Sequence, residues 1–287
     1  MKLGISSYSL HRAIQSGEMS IIDVVQWVAD NGGEHLELAP IGFSLDDNPG
    51  LAEAIRSKAQ DAGIELSNYA VGANFIQPDE AAYEAEIARV MKQVDIAHAL
   101  GVKLMRHDVA SRPVPETSII QFNADLQRLA NACRRIADYA AQYGITTSVE
   151  NHGFYVQASD RVQALVHAVG RDNYRTTLDV GNFLCVDESP LSAVRKNLPI
   201  ASLVHLKDFY IRPSCRNPGE GWFRSSGGSY LRGAIVGQGD IDMWEVIRTI
   251  KQSGYDGYIS IEFEGCEPCV FGTKAGLDNA RRIWNEV

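Results

Sequence analysis

The chain lacks an excess of positive charge, a long apolar run and a cysteine framework, and each absence removes a class of function. Its 27 Lys plus Arg against 36 Asp plus Glu leave a net charge of −9 over 287 residues. An acidic chain of this kind has no general attraction to phosphate backbones or anionic lipid, so neither nucleic acid nor membrane is an expected partner. No stretch of about 18 or more apolar residues occurs, which excludes a bilayer-spanning helix. The opening MKLGISSYSL has no apolar core of a secretory signal, and the expectation is a cytoplasmic protein. Five cysteines, at 133, 185, 215, 266 and 269, are odd in number and scattered, which argues against a disulfide set. Cys266 and Cys269 form a CxxC with no second pair at zinc spacing and no expected helix start, and read as two loop thiols. No GxGxxG follows the first strand, so the dinucleotide-binding fingerprint is missing.

What the chain does have is alternation. Short apolar or β-branched runs at 2–7, 35–39, 64–71, 102–106, 145–150, 174–179, 201–207 and 258–262 read as strands. Between them lie helical stretches with start and stop signals: Ile21–Asp30 behind Ser20, 51–62 before Gly63, Glu80–Leu100 before Gly101, and 117–143 before Gly144. Ser159–Val169, Pro190–Asn197, 241–253 behind Asp240, and 271–287 complete the set. Eight strands alternating with eight helices predict one (β/α)8 TIM barrel over 1–287. Residues 208–239 break the rhythm: Arg212, Arg216, Trp222, Phe223, Arg224 and Arg232 sit among glycines with little periodicity. They predict a long active-site loop after strand seven.

Four strand ends carry metal-competent side chains. TTSVENH (146–152) holds Glu150, TTLDVGNF (176–183) Asp179, SLVHLKDF (202–209) His205 and YISIEFEG (258–265) Glu262. In such a barrel function sits at the C-terminal strand ends. One acidic strand end is commonly a cap, but four in consecutive units predict a shared site for one divalent cation. Three carboxylates and an imidazole point to Mn2+ first, with Mg2+, Co2+ and Zn2+ as alternatives. Such a metal polarises the carbonyl of a hydroxy-ketone and stabilises an enediolate, so that a carboxylate can move the α-proton. The expected substrate is a small carbohydrate. Glu37, Arg106, His107, Asn151, His152, Asn182, Lys207 and Glu264 also lie at or beside strand ends. Of these, Arg106, His107, His152, Asn182 and Lys207 are candidates to contact substrate, and Trp222 is a candidate lid residue. Lys207 is equally placed to pair with Asp208, and Glu264 to cap or face a helix. His35, His98 and His167 read as structural.

The order Glu, Asp, His in HLKD, Glu in IEFE, together with VENH, LDVGN and GQGDID (237–242), resembles the xylose isomerase-like TIM barrel superfamily. This group of sugar phosphate isomerases and epimerases has ketose 3-epimerases and endonuclease IV as relatives. The resemblance implies that Glu150, Asp179, His205 and Glu262 bind one metal, and that Glu150 and Glu262 exchange protons with opposite faces of the substrate carbon. Asn182 stands where the epimerases carry a substrate-holding His, and Arg212 lies near a substrate-binding Arg of theirs. The expected activity is a metal-dependent sugar isomerase or epimerase, with a dehydratase or other lyase, or a hydrolase, as the alternative. A DNA-repair endonuclease and a non-catalytic sugar-binding barrel are further alternatives. A homo-oligomer is compatible with all of these.

Overall fold

Eight parallel strands close on themselves in the order β1-β11-β7-β6-β5-β4-β3-β2. These are β1 (Lys2–Ser6), β2 (His35–Leu38), β3 (Glu65–Val71), β4 (Leu104–His107), β5 (Thr146–Glu150), β6 (Tyr174–Asp179), β7 (Ala201–Leu206) and β11 (Tyr258–Ile261). The computed structural model describes residues 2–46 and 48–287. The barrel is the one predicted, with strand ends shifted by a residue or two. No described helix is long and apolar enough to cross a membrane.

Helices return the chain on the outside: α1 (His11–Gln15), α2 (Ile21–Asp30), α3 (Pro49–Ala62), α4 (Glu80–Leu100), α5 (Ile119–Ala141), α6 (Ser159–Val169), α7 (Pro190–Asn197), α8 (Met243–Gln252) and α9 (Cys269–Glu286). Their starts follow local chemistry. Ser20 and Asp23 form a reciprocal capping box on α2. Two expectations fail here. Asp242, not Asp240, caps α8, by accepting from Glu245 N at 3.0 Å. Asp240 instead pairs with Arg212. Cys269 opens α9 and is buried, so the CxxC does meet a helix start.

The stretch after β7 is a small sheet rather than a structureless loop. β8 (Asp208–Arg212), β9 (Phe223–Arg224) and β10 (Tyr230–Ala234) pair antiparallel in the order β8-β10-β9. Residue alternation explains why sequence periodicity missed it. Phe209, Ile211, Leu231 and Phe223 share one face, whereas Tyr210, Arg212, Arg224, Tyr230 and Arg232 share the other. The second face is not apolar; its arginines stack on aromatic rings, as Arg232 does on Tyr210 and Trp222. Asp208 anchors the sheet to the barrel. Its buried carboxylate accepts from the backbone N–H of Phe209, Gly237 and Gly239 at 2.9–3.0 Å. A Cβ at Gly239 would lie 2.2 Å from Asp208 Oδ1, so GQGDID is a backbone cradle for that carboxylate.

Candidate metal centre

The barrel register brings the four strand-end residues together. Asp179 lies directly across from His205 on β6 and β7, and Glu150 pairs with Thr177, two residues before Asp179. His205 pairs with Ser260, two residues before Glu262. Period-two alternation then turns Glu150, Asp179, His205 and Glu262 to the same interior end. One ligand atom from each lies within 4.8 Å of all the others, and all four residues are buried.

Hydrogen bonds around this cluster fix which atoms face inward. His205 Nε2 meets Glu37 Oε2 at 2.7 Å, and Asn68 Nδ2 donates to the other Glu37 oxygen at 2.9 Å. With its Nε2 proton on Glu37, the imidazole turns Nδ1 toward Glu262, Glu150 and Asp179 at 3.6, 3.7 and 3.7 Å. Asp179 Oδ1 accepts from Asn182 N at 2.9 Å, and Asn151 clamps the Asp179 backbone at both N and O. His205 Nδ1 is left buried without a hydrogen-bond partner, and Asp179 Oδ2 makes no hydrogen bond but lies 3.2 Å from Lys207 Nζ. An unpartnered imidazole nitrogen facing three carboxylates is a donor set that suits a divalent cation. The donor set suits Mn2+, Co2+, Zn2+ or Mg2+.

Electrostatics tell the same story. Burial opposes ionisation of Glu150, but Arg106 and His205 hold its carboxyl well below the usual range. Burial, with Glu262 and Glu150 nearby, outweighs Lys207 and pushes Asp179 up. Burial disfavours an imidazolium at His205, yet Glu37 and Glu262 raise its basicity well above normal. The site demands a positive charge at its centre, whether proton or metal.

Above the cluster opens a cavity of about 670 Å3. Arg106 lies on its wall and grips Glu150 Oε2 through Nε at 2.6 Å and Nη2 at 2.5 Å. His152, half-exposed, stands with Nδ1 3.5 Å from Asp108 Oδ1, and that carboxylate raises its pKa. Lys207 is buried within 3.2 Å of three carboxylates: Glu262 at 2.7 Å, Glu264 at 3.1 Å and Asp179 at 3.2 Å. It does not pair with Asp208, and Glu264 faces the cavity rather than a helix. Asn182 lines the cavity but spends its amide on Glu150 and Lys207.

Three sequence candidates are not brought here. His107 closes β4 but is buried on the side away from the cavity, edge-on to Phe75 with Nδ1 on Asp108 O. Arg212 and Trp222 stack on each other on the outer face of the small sheet. Phe223, one residue on, reaches the cavity because alternation turns it to the opposite face. Residues without a sequence signal are Tyr8, on a short helical turn after β1, and Asp108, just past β4. Tyr8 lines the cavity, and burial beside Glu264 pushes its hydroxyl up to about 12.

The profile of the xylose isomerase-like TIM barrel matches residues 25–284, and the chain belongs to that family. An inosose dehydratase from Lacticaseibacillus casei is 23% identical over 265 residues, covering 80% of this chain and 89% of that protein. D-psicose 3-epimerase from Clostridium cellulolyticum H10, solved with D-tagatose, superposes with a TM-score of 0.74 at 19% identity and 99% coverage of both chains. The IOLI protein, solved with a zinc atom, gives a TM-score of 0.74 at 17% identity, covering 100% of this chain and 97% of its own. At these identities the structural likeness establishes the fold. The relatives include both a dehydratase and an epimerase, so family membership leaves the reaction to the site.

Proposed function

We propose that the protein is a divalent-metal-dependent carbon–oxygen lyase that dehydrates a polyhydroxylated ketone of the sugar or cyclitol type. Alignment with an inosose dehydratase over most of the chain supports elimination, and the zinc in a structural neighbour supports a metal at the four-residue centre. Glu150, Asp179, His205 and Glu262 would hold that metal, which when bound acts as a Lewis acid toward the substrate carbonyl.

The observation that carries the reading is the two-point grip of Arg106 on Glu150. Inversion at carbon needs two bases of similar strength on opposite faces. Glu150, with one oxygen locked by a guanidinium, is a poor proton acceptor and serves as a ligand. Glu262 is held by Lys207 at 2.7 Å, with His205 Nδ1 3.6 Å away, and Lys207 has Asp179 and Glu264 within 3.2 Å as alternatives. Lys207 can release Glu262 when that carboxylate takes a proton. One base and one acid suffice for elimination. Glu262 takes the α-proton, the bond to the β-hydroxyl breaks with its electron pair, and the hydroxyl leaves as water with a proton from His152. Asp108, 3.5 Å away, raises the His152 pKa and so favours its protonated form for that step. Where the α-carbon carries a hydroxyl, the resulting enol tautomerises to a 1,2-dione.

Metal-loaded protein incubated with keto-cyclitols and keto-hexoses in deuterium oxide tests this by NMR and mass spectrometry. Loss of one water per turnover is expected. An epimer or isomer carrying a solvent deuteron, with no water lost, contradicts the lyase and reinstates the isomerase reading.

A further inference from the structure

Among the described residues, the large apolar side chains left exposed are Val114, Ile119, Ile120, Phe223 and Phe271. Their places in the chain put all of them on one face. Val114 lies between β4 and α5, and Ile119 and Ile120 open α5. Phe223 belongs to the sheet after β7, and Phe271 sits in the first turn of α9, after β11. In an alternating barrel every link from a strand to its following helix lies at the C-terminal strand ends. Apolar residues scattered singly need no explanation, but a set confined to one face marks an interaction surface.

The ring order sorts this face into two sides. β7 and β11 are neighbours, and β3 and β4 are neighbours diametrically across from them. The β7–β11 side is aromatic and basic. Arg232 stacks on Tyr210 at 4.9 Å and on Trp222 at 5.2 Å, and Arg224 stacks on Tyr230 at 4.5 Å. Arg212 is paired with Asp240 at 3.0 Å. Among the described residues, Arg216, Arg224 and Arg232 have no carboxylate within 4.0 Å, and Glu220 of the same insertion has no basic partner. Arg232 Nε is buried without a hydrogen-bond partner. Stacked guanidiniums with free N–H groups are pre-organised to receive carboxylates. The β3–β4 side is apolar and acidic. Asp79 caps α4, Glu80 opens it, Glu116 lies two residues after Val114, and all three acids are exposed. Arg112 and Arg128 on that side already hold Asp125 and Glu80 at 2.7 and 2.8 Å.

We infer that this face binds a second copy of the same chain in a two-fold dimer, the β7–β11 side of each copy lying on the β3–β4 side of the other. The chain itself supplies what each side lacks: carboxylates for the arginines and aromatic rings for the isoleucines. The ring order also fixes the axis. A two-fold in the plane of the face, running between β1 and β2 at one end and between β5 and β6 at the other, lays β7 over β4 and β11 over β3. Trp222, Phe223 and Arg224 then meet Ile119, Ile120 and Glu116, while Phe271 meets the start of α4. Each contact occurs twice, as an isologous interface requires. Aromatic residues and arginine are the types that dominate the energetics of such interfaces. The cavity mouth lies between the two sides, so the two cavities open toward each other across the axis. The dimer does not depend on which reaction the cavity performs.

Sedimentation velocity on the metal-loaded full chain at micromolar concentration tests this, and the wild type is expected to be a dimer. Ile120→Lys sets a cation against Arg224, and Arg224→Glu sets an acid against Glu116; each should weaken association about tenfold or more. Phe271→Glu, set against Asp79 and Glu80, should weaken it independently. All three positions are exposed and outside the metal centre, so far-ultraviolet circular dichroism and metal binding should match the wild type. Mixed in equal amounts, Ile120→Lys and Arg224→Glu keep one native contact and gain one between opposite charges, and should dimerise with each other. A monomeric wild type, a dimer that survives all three substitutions, or two variants that stay apart when mixed overturns the inference.

Discussion

Two buried histidines at opposite ends of the barrel are held in opposite ways. At the start of β2, His35 has both nitrogens met by neutral partners, Ser67 Oγ at 2.9 Å and Ile259 O at 3.0 Å. Burial pushes its pKa down to about 4, so it is a neutral structural residue. At the end of β7, His205 is just as buried but gives one nitrogen to Glu37 and turns the other on three carboxylates. The N-terminal end is built so that every polar group of this histidine is satisfied. The C-terminal end gathers like charge that folding alone does not favour, and that local inconsistency is what makes it the candidate functional site.

The sharpest way to break the contrast is at the proposed base. Glu262→Gln, which keeps shape and an oxygen donor, is expected to lower kcat by about 1,000-fold or more when the base is removed. Turnover in Glu262→Gln within tenfold of wild type would place the proton transfer elsewhere. Next comes the support of His205. Glu37→Gln keeps a hydrogen-bonding side chain but removes its charge, and should weaken metal affinity about 10–100-fold, read by titration against a metallochromic chelator. An unchanged affinity would show that Glu37 does not govern the imidazole.

The N-terminal end makes a pH prediction. Below about pH 6.5 the unfolded chain protonates His35, whereas the folded chain resists until about pH 4. Stability is therefore full above 6.5 and declines as pH falls toward 4, by up to about 3 kcal/mol. Urea unfolding across that window should show a slope shallower by about one proton in His35→Gln. The smallest effect lies back at the metal end. Asp179→Asn removes a carboxylate that burial and its neighbours disfavour. It is expected to raise the stability of chelator-treated protein by about 1 kcal/mol while abolishing metal binding, a trade of function for stability. A loss of stability in that variant would mean the Lys207 contact outweighs the crowding.

The difference between the two ends also explains what could be read from the chain. Glu150, Asp179, His205 and Glu262 were legible because each closes a short apolar run, and the barrel sends all such ends to one place. Glu37 could be seen at a strand end, but its hold on His205 comes from 168 residues away and has no local signature. His107 looked equivalent to His152, yet lies on the buried side of its strand, where Phe75 and Tyr174 surround it. The stretch after β7 was unreadable as structure because its outer face is stabilised by arginine–aromatic stacking instead of apolar alternation. Trp222 and Phe223 show the cost: without the pairing of β9 with β10, nothing says which of the two faces the cavity.

Metal content decides whether the crowded end is a metal centre. Protein purified without added metal should carry about one equivalent of divalent ion, and a folded Glu150→Gln/His205→Ala double variant should carry none. A folded wild type that holds no metal and refuses added Mn2+ would contradict the four-residue centre.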